Sequence, residues 1–135
     1  MGSRYGGLKQ VEPVGPDGEL LLEYSIYDAL RVGFERVILV VQADQETALR
    51  NLLPPRLLHG AVAFVHQRPD DLPEGVSGLQ SRQKPWGTGH AVYAVRHAVP
   101  GPFAVANADD FYGARSYEQI YRFLTEAVAP RDQYA

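Results

Sequence analysis

Apolar residues fall into alternating helical and strand-like blocks along the chain. From 22 to 32 they recur at Leu22, Ile26, Ala29 and Leu30, one face of a helix, and Gly33 stands where a left-handed C-terminal cap belongs. The run "RVILVVQ" (36–42) carries β-branched residues without alternation, which predicts a strand buried on both faces. Asp44 is placed to cap a helix over 45–53 that Pro54 and Pro55 stop, and "AVAFVHQ" (61–67) predicts a second strand. Further on, Thr88 is placed to cap a helix reaching about His97, and "GPFAVAN" (101–107) reads as a third strand. Ser116 with Gln119 gives a capping-box start for a helix to about Val128.

Strands that alternate with helices imply a mostly parallel sheet covered on both faces. The expected class is therefore α/β, a three-layer α/β/α, Rossmann-like arrangement within a single domain spanning 1–135. Residues 1–20, rich in Gly and Pro with the turn "VGPDGE", and the polar connection 68–86 read as loops. A connection as long as the second is more often functional than idle.

Composition narrows this picture by exclusion. The 135 residues are 45% hydrophobic and 21% charged, an ordinary globular mix. A formal charge of −3 without a run of like charges gives no footprint for nucleic acid or for an anionic membrane surface. With no cysteine, thiolate metal sites and cysteine nucleophiles are excluded. The longest apolar runs fall far short of the roughly 20 residues a membrane span needs, and no basic region followed by an apolar stretch opens the chain. The default expectation is a cytoplasmic protein, and homo-oligomerisation is left open.

Three stretches carry candidate chemistry. In "GSRYGGLKQ" (2–10), glycines allow close backbone approach while Arg4 and Lys9 supply positive charge, a combination suited to a polyphosphate. It lacks the spacing of a Walker A loop, and in isolation it also fits a flexible tail. "GTGHA" (87–91) is a glycine-flanked helix start whose N–H groups could meet a base or a phosphate oxygen; alone, it equally fits an ordinary capped helix. In "NADDFYG" (107–113), Asp109 and Asp110 follow the third apolar run, at the strand end where α/β sheets bind ligands. Paired carboxylates there suit magnesium, which takes one or two protein carboxylates and completes its shell with water and phosphate oxygens. His90, in the first turn of its helix, reads as a packing residue.

In this order the three motifs resemble those of the sugar-phosphate nucleotidyltransferases, which have the nucleotide-diphospho-sugar transferase fold. "GSRYGGLKQ" is similar to the family's signature loop, "GTGHA" to its base-side loop, and "NADDFYG" to its metal-binding strand end; "PVGPDGELLLEYSIYDALRVGFERVILVV" (13–41) resembles the stretch that follows the signature loop. The resemblance implies that Gly2, Ser3, Arg4 and Lys9 hold the triphosphate, that Gly87 and Thr88 border the nucleobase, and that Gln83 reads its edge. It implies Asp109 as the magnesium ligand, Asp110 second to it, and a nucleoside triphosphate and a sugar-1-phosphate as substrates. Transfer to another phosphate acceptor, such as choline phosphate or a cofactor precursor, and a non-catalytic nucleotide-binding domain are the alternatives. The chain departs from the family pattern in having Leu8 before the lysine. The resemblance further implies an incomplete fold: the N-terminal, nucleotide-binding part without its first strand or the C-terminal sugar-binding part, hence poorly stable and inactive by itself.

Overall fold

The computed structural model describes residues 13–76 and 86–126. Within them the order is α1 (Leu21–Val32), β1 (Val37–Val41), α2 (Glu46–Leu52), α3 (Pro55–Leu58), β2 (Val62–His66), α4 (Thr88–Ala94) and α5 (Ala114–Glu126). The class is mixed α/β, with β1 and β2 forming a small parallel sheet in the register Val37↔Val62 to Val41↔His66.

The entry into α1 follows from turn chemistry and one buried carboxylate. Residues 14–19 close a turn through Val14 N–H and Gly15 N–H, both donating to the Glu19 carbonyl, and Gly18 takes the positive φ (86°) the turn requires. Glu23 is buried, and its Oε1 accepts the Leu20 N–H at 3.0 Å, satisfying a donor that the helix start would otherwise orphan. At the other end Gly33, φ 120°, ends α1 as its spacing predicts, its N–H and that of Phe34 returning to the Leu30 and Ala29 carbonyls.

The core lies under β1. Leu20, Leu22 and Ile26 meet Leu39 and Val41 of the strand and Leu49, Leu53 and Leu57 of the α2–α3 region. Ile26 and Leu53 are the most completely enclosed, at 1% and 2% exposure. Burying a large aliphatic side chain is worth about 1.5–3 kcal/mol, so this cluster holds the first half of the chain together.

Three local expectations need correction and a fourth needs an addition. Asp44 does not cap α2; Gln45 holds the N-cap position without a side-chain bond to the helix, its Oε1 accepting the upstream Gln42 N–H at 3.1 Å and so closing the turn before the helix. Pro54 and Pro55 end α2 as expected, but Pro55 also opens the short α3, because its fixed φ suits the first helical position. Thr88 is the first residue of α4 with Gly87 as its N-cap, so no side chain caps that helix. Ser116 lies inside α5, which starts at Ala114; its hydroxyl donates back to the Tyr112 carbonyl at 2.8 Å.

The largest difference concerns the third apolar run. Residues 102–107 run without turn or bend but form no strand, and the whole stretch is exposed, Phe103 at 47% and Val105 at 56%. A strand exists only through a ladder with a neighbour, and none of the described residues pairs with this segment.

Candidate functional site

The carboxyl ends of β1 and β2 converge where the Gln67 N–H donates to the Val41 carbonyl at 2.8 Å. From there the Gln67 side chain reaches the start of α4. Its Nε2 donates to the Trp86 carbonyl (2.9 Å) and the Gly87 carbonyl (3.3 Å), and lies 3.1 Å from His90 Nδ1. His90 Nε2 is 2.7 Å from the Asp71 carbonyl, a pattern satisfied by the neutral ring carrying its proton on Nε2. His90 is thus a tether between the polar connection and α4, which agrees with its reading as a packing residue.

A second tether runs beside the first. Both guanidinium NH groups of Arg96 donate to the Asp71 carboxylate, at 2.6 and 2.8 Å, and the guanidinium lies over the Tyr93 ring, 3.9 Å from its centroid. This fork holds the Asp71 carboxyl below the usual aspartate range. Trp86 Nε1–H donates to the Pro69 carbonyl at 3.1 Å, so residues 69–71 and 86–96 are joined at three points. At the neighbouring edge of the sheet, Glu46 pairs with Arg50 at 2.7 Å and with His66 at 2.5 Å, and the Arg50 hydrogen bond leads in lowering its pKa.

The two adjacent acids of "NADDFYG" occupy different environments. Asp110 is engaged: its Oδ2 accepts from Asn107 Nδ2 at 2.8 Å and from the Tyr112 hydroxyl at 3.3 Å, while that hydroxyl accepts the Asn107 N–H at 3.1 Å. The closed loop of bonds spends one Asp110 oxygen on holding the turn. Asp109 is exposed, has no hydrogen-bond or ionic partner among the described residues, and faces a cleft.

Gly87 and Thr88 border the same cleft, beside Asn107 and Ala108. Gly87, Thr88 and Asp109 thus line one cleft, whose lining does not include Asp110. Gly2, Ser3, Arg4, Lys9 and Gln83 lie outside the described residues. Among the described residues no group of three His, Cys, Asp or Glu side chains gathers to hold a metal ion. An unpaired, solvated carboxylate such as Asp109 still fits magnesium, which needs as little as one protein oxygen when phosphate and water supply the rest.

Sequence reasoning missed Gln67, Asp71 and Glu23. Gln67 was read only as the last residue of a strand, and nothing in the sequence links Asp71 to Arg96, 25 positions away. Glu23 carried a usable signal: an acid in the first turn of a predicted helix is a natural reciprocal cap.

Among the described residues, no helix is long and apolar enough to cross a membrane. Compared with protein-family models and with curated proteins, the chain matches none.

Proposed function

We propose that the chain is the nucleotide-binding part of a three-layer α/β/α, Rossmann-like nucleotidyltransferase. The reaction transfers a nucleoside monophosphate from a nucleoside triphosphate to a sugar-1-phosphate: an oxygen of the sugar phosphate bonds to the α-phosphorus, the bond to the β-phosphate oxygen breaks, and pyrophosphate leaves. The observation that carries this reading is the cleft that Gly87, Thr88 and Asp109 all line, with Asp109 lacking a partner among the described residues while its neighbour Asp110 is tied to its own turn.

Both reactants are anions, so the protein's task is charge neutralisation and in-line alignment. Under this reading Gly2, Ser3, Arg4 and Lys9 bind the triphosphate, and the two basic side chains offset the negative charge that builds on the departing phosphates. Gly87 and Thr88 border the nucleobase, Gln83 reads its edge, and the Gln67–His90–Asp71 tether holds that rim in place. Asp109 would hold magnesium, with Asp110 second to it; the cation supplies Lewis-acid polarisation of phosphate oxygens when bound. No covalent protein nucleophile is required.

The test is pyrophosphate release by the enzyme of which this chain is the nucleotide-binding part, measured across nucleoside triphosphates and a panel of acceptor phosphates with magnesium. The reading expects release with a sugar-1-phosphate, and Asp109→Asn cutting it by orders of magnitude, at least about a hundredfold, with the fold intact. Full turnover in Asp109→Asn, or release with choline phosphate alone, contradicts it.

A further inference from the structure

The bonds that hold the start of α4 at the sheet end converge on one side-chain amide. The Gln67 backbone is fixed to the sheet by its N–H, which donates to the Val41 carbonyl. Its Nε2 faces three groups: the Trp86 carbonyl at 2.9 Å, the Gly87 carbonyl at 3.3 Å and His90 Nδ1 at 3.1 Å. The two carbonyls can only accept, so the amide stands with its NH2 towards α4. His90 Nδ1 must then accept as well, and its Nε2, 2.7 Å from the Asp71 carbonyl, must donate. Only the neutral ring with its proton on Nε2 meets both demands.

A proton on Nδ1 turns that nitrogen into a donor aimed at the Gln67 NH2. Turning the Gln67 amide over does not relieve the conflict. It gives the new Nδ1–H an acceptor, but it sets Gln67 Oε1 against the Trp86 and Gly87 carbonyls, oxygen facing oxygen. No orientation of the amide satisfies a charged His90 and both carbonyls together. Either the ring leaves Gln67 or Gln67 leaves the carbonyls, and each loosens α4 from the sheet end, because His90 is itself a residue of α4. Among the described residues, the charged groups around the ring are paired with one another: Asp71 with Arg96 at 2.6 Å, and Arg68 with Asp70 at 2.8 Å. On β2, His66 is paired with Glu46. The Trp86 and Tyr93 rings flank His90 at 6.2 and 6.3 Å between centroids.

We propose that His90 makes the cleft proton-sensitive. When the ring takes a proton, the Gln67 junction breaks, and Gly87 and Thr88, which line the cleft, lose the bonds that set their place. Imidazole is the side chain whose charge ordinarily changes between about pH 5 and 8, so the change falls in a range a cell can reach. The consequence for binding rests on the nucleotide reading: the protein holds nucleotide while His90 is neutral and releases it as pH falls. His90 acts through Gln67 and is a positioning residue; it exchanges no proton with the reactants.

Two measurements separate this proton response from the nucleotide reading. In the chain without nucleotide, magnetic resonance signals of the His90 ring, the Gln67 side-chain NH2 and the Gly87 amide are expected to move with one common midpoint between about pH 7.5 and about pH 5.5. His90→Asn puts an amide oxygen, an acceptor that does not titrate, where Nδ1 stands, and is expected to flatten the Gln67 and Gly87 curves. His90→Gln reaches for the Asp71 carbonyl and leaves Gln67 no acceptor, so its Gln67 signal is expected at the acidic position throughout. In the enzyme of which this chain is the nucleotide-binding part, affinity for a non-hydrolysable nucleoside triphosphate with magnesium is expected to fall over that range. The fall should exceed that of His90→Asn by at least about tenfold, a comparison that cancels the triphosphate's own protonation. A His90 ring that stays neutral to about pH 5.5, or that titrates while Gln67 and Gly87 stay in place, overturns the inference. So does an unaltered Gln67 curve in His90→Asn, or an equal fall in affinity in the two proteins. Coincident curves in the chain with no nucleotide bound at any pH overturn the nucleotide reading instead and leave the proton-sensitive tether established.

Discussion

"VILVV" and "PFAVAN" are similar in sequence and opposite in fate. The first is β1, laddered to β2, with Leu39 and Val41 buried against α1, α2 and α3; the second runs without turn or bend, exposed and without a strand partner among the described residues. What separates them is a neighbour, since β-propensity expresses a fit to a pleated, half-buried surface and has no value where no such surface adjoins. The contrast extends to the acids that follow: among the described residues Asp109, which lines the cleft, has no partner, while Asp110 is absorbed into its turn.

The sharpest way to break the comparison is to truncate an aliphatic side chain to alanine on each side. Ile26→Ala, in the packed half, is expected to cost about 2–5 kcal/mol in urea unfolding. Val105→Ala, in the exposed segment, should change stability by no more than about 0.5 kcal/mol. Equal costs would mean that 102–107 is packed after all.

A smaller effect tests how the two halves are joined. Gly33 has φ 120°, and a Cβ there would sit 2.7 Å from the Tyr121 ring, the side chain that brings α5 onto the end of α1. Gly33→Ala should therefore cost more than about 1 kcal/mol, combining backbone strain with a steric clash. Tyr121→Ala introduced into Gly33→Ala should recover the steric part only. A neutral Gly33→Ala would show that α5 does not rest against α1 there.

Much of the packed half was legible. The spacing of Leu22, Ile26 and Ala29 and the glycine at 33 located α1, and the β-branched runs located β1 and β2 to within a residue at either end. Capping was less legible: α2 starts without a side-chain cap, and the acceptor near its start, Gln45, is spent on the Gln42 N–H of the preceding turn. The third strand was misjudged because its apolar pattern records a burial that the described residues do not provide. At the site, the resemblance already ranked Asp109 ahead of Asp110, but the bonding of Asp110 into its own turn was not readable. It depends on where the Asn107 and Tyr112 side chains turn.

The smallest predicted effect concerns acid. The Arg96 fork lowers the Asp71 pKa in the folded chain, so its contribution to stability is present above the unfolded aspartate value, about 3.9, and is lost as pH falls through the lower folded value. Trp86, the single tryptophan, donates to Pro69 within the same tether and reports its release. Its emission should shift below about pH 4, ahead of any loss of helix signal, and Asp71→Asn should give the shifted emission already at neutral pH. A coincident loss of helix signal would place the Asp71 tether inside the core's cooperative unit.

The central claim, that Asp109, Gly87 and Thr88 form one cation-dependent nucleotide rim, is tested most directly by manganese as a paramagnetic substitute for magnesium. With a non-hydrolysable nucleoside triphosphate present, substoichiometric manganese is predicted to broaden the amide signals of Ala108 and Asp109 first and those of Gly87 and Thr88 next, and Asp109→Asn is predicted to abolish the effect. Broadening centred on Glu46 or Asp70, or the same pattern surviving in Asp109→Asn, would contradict the account.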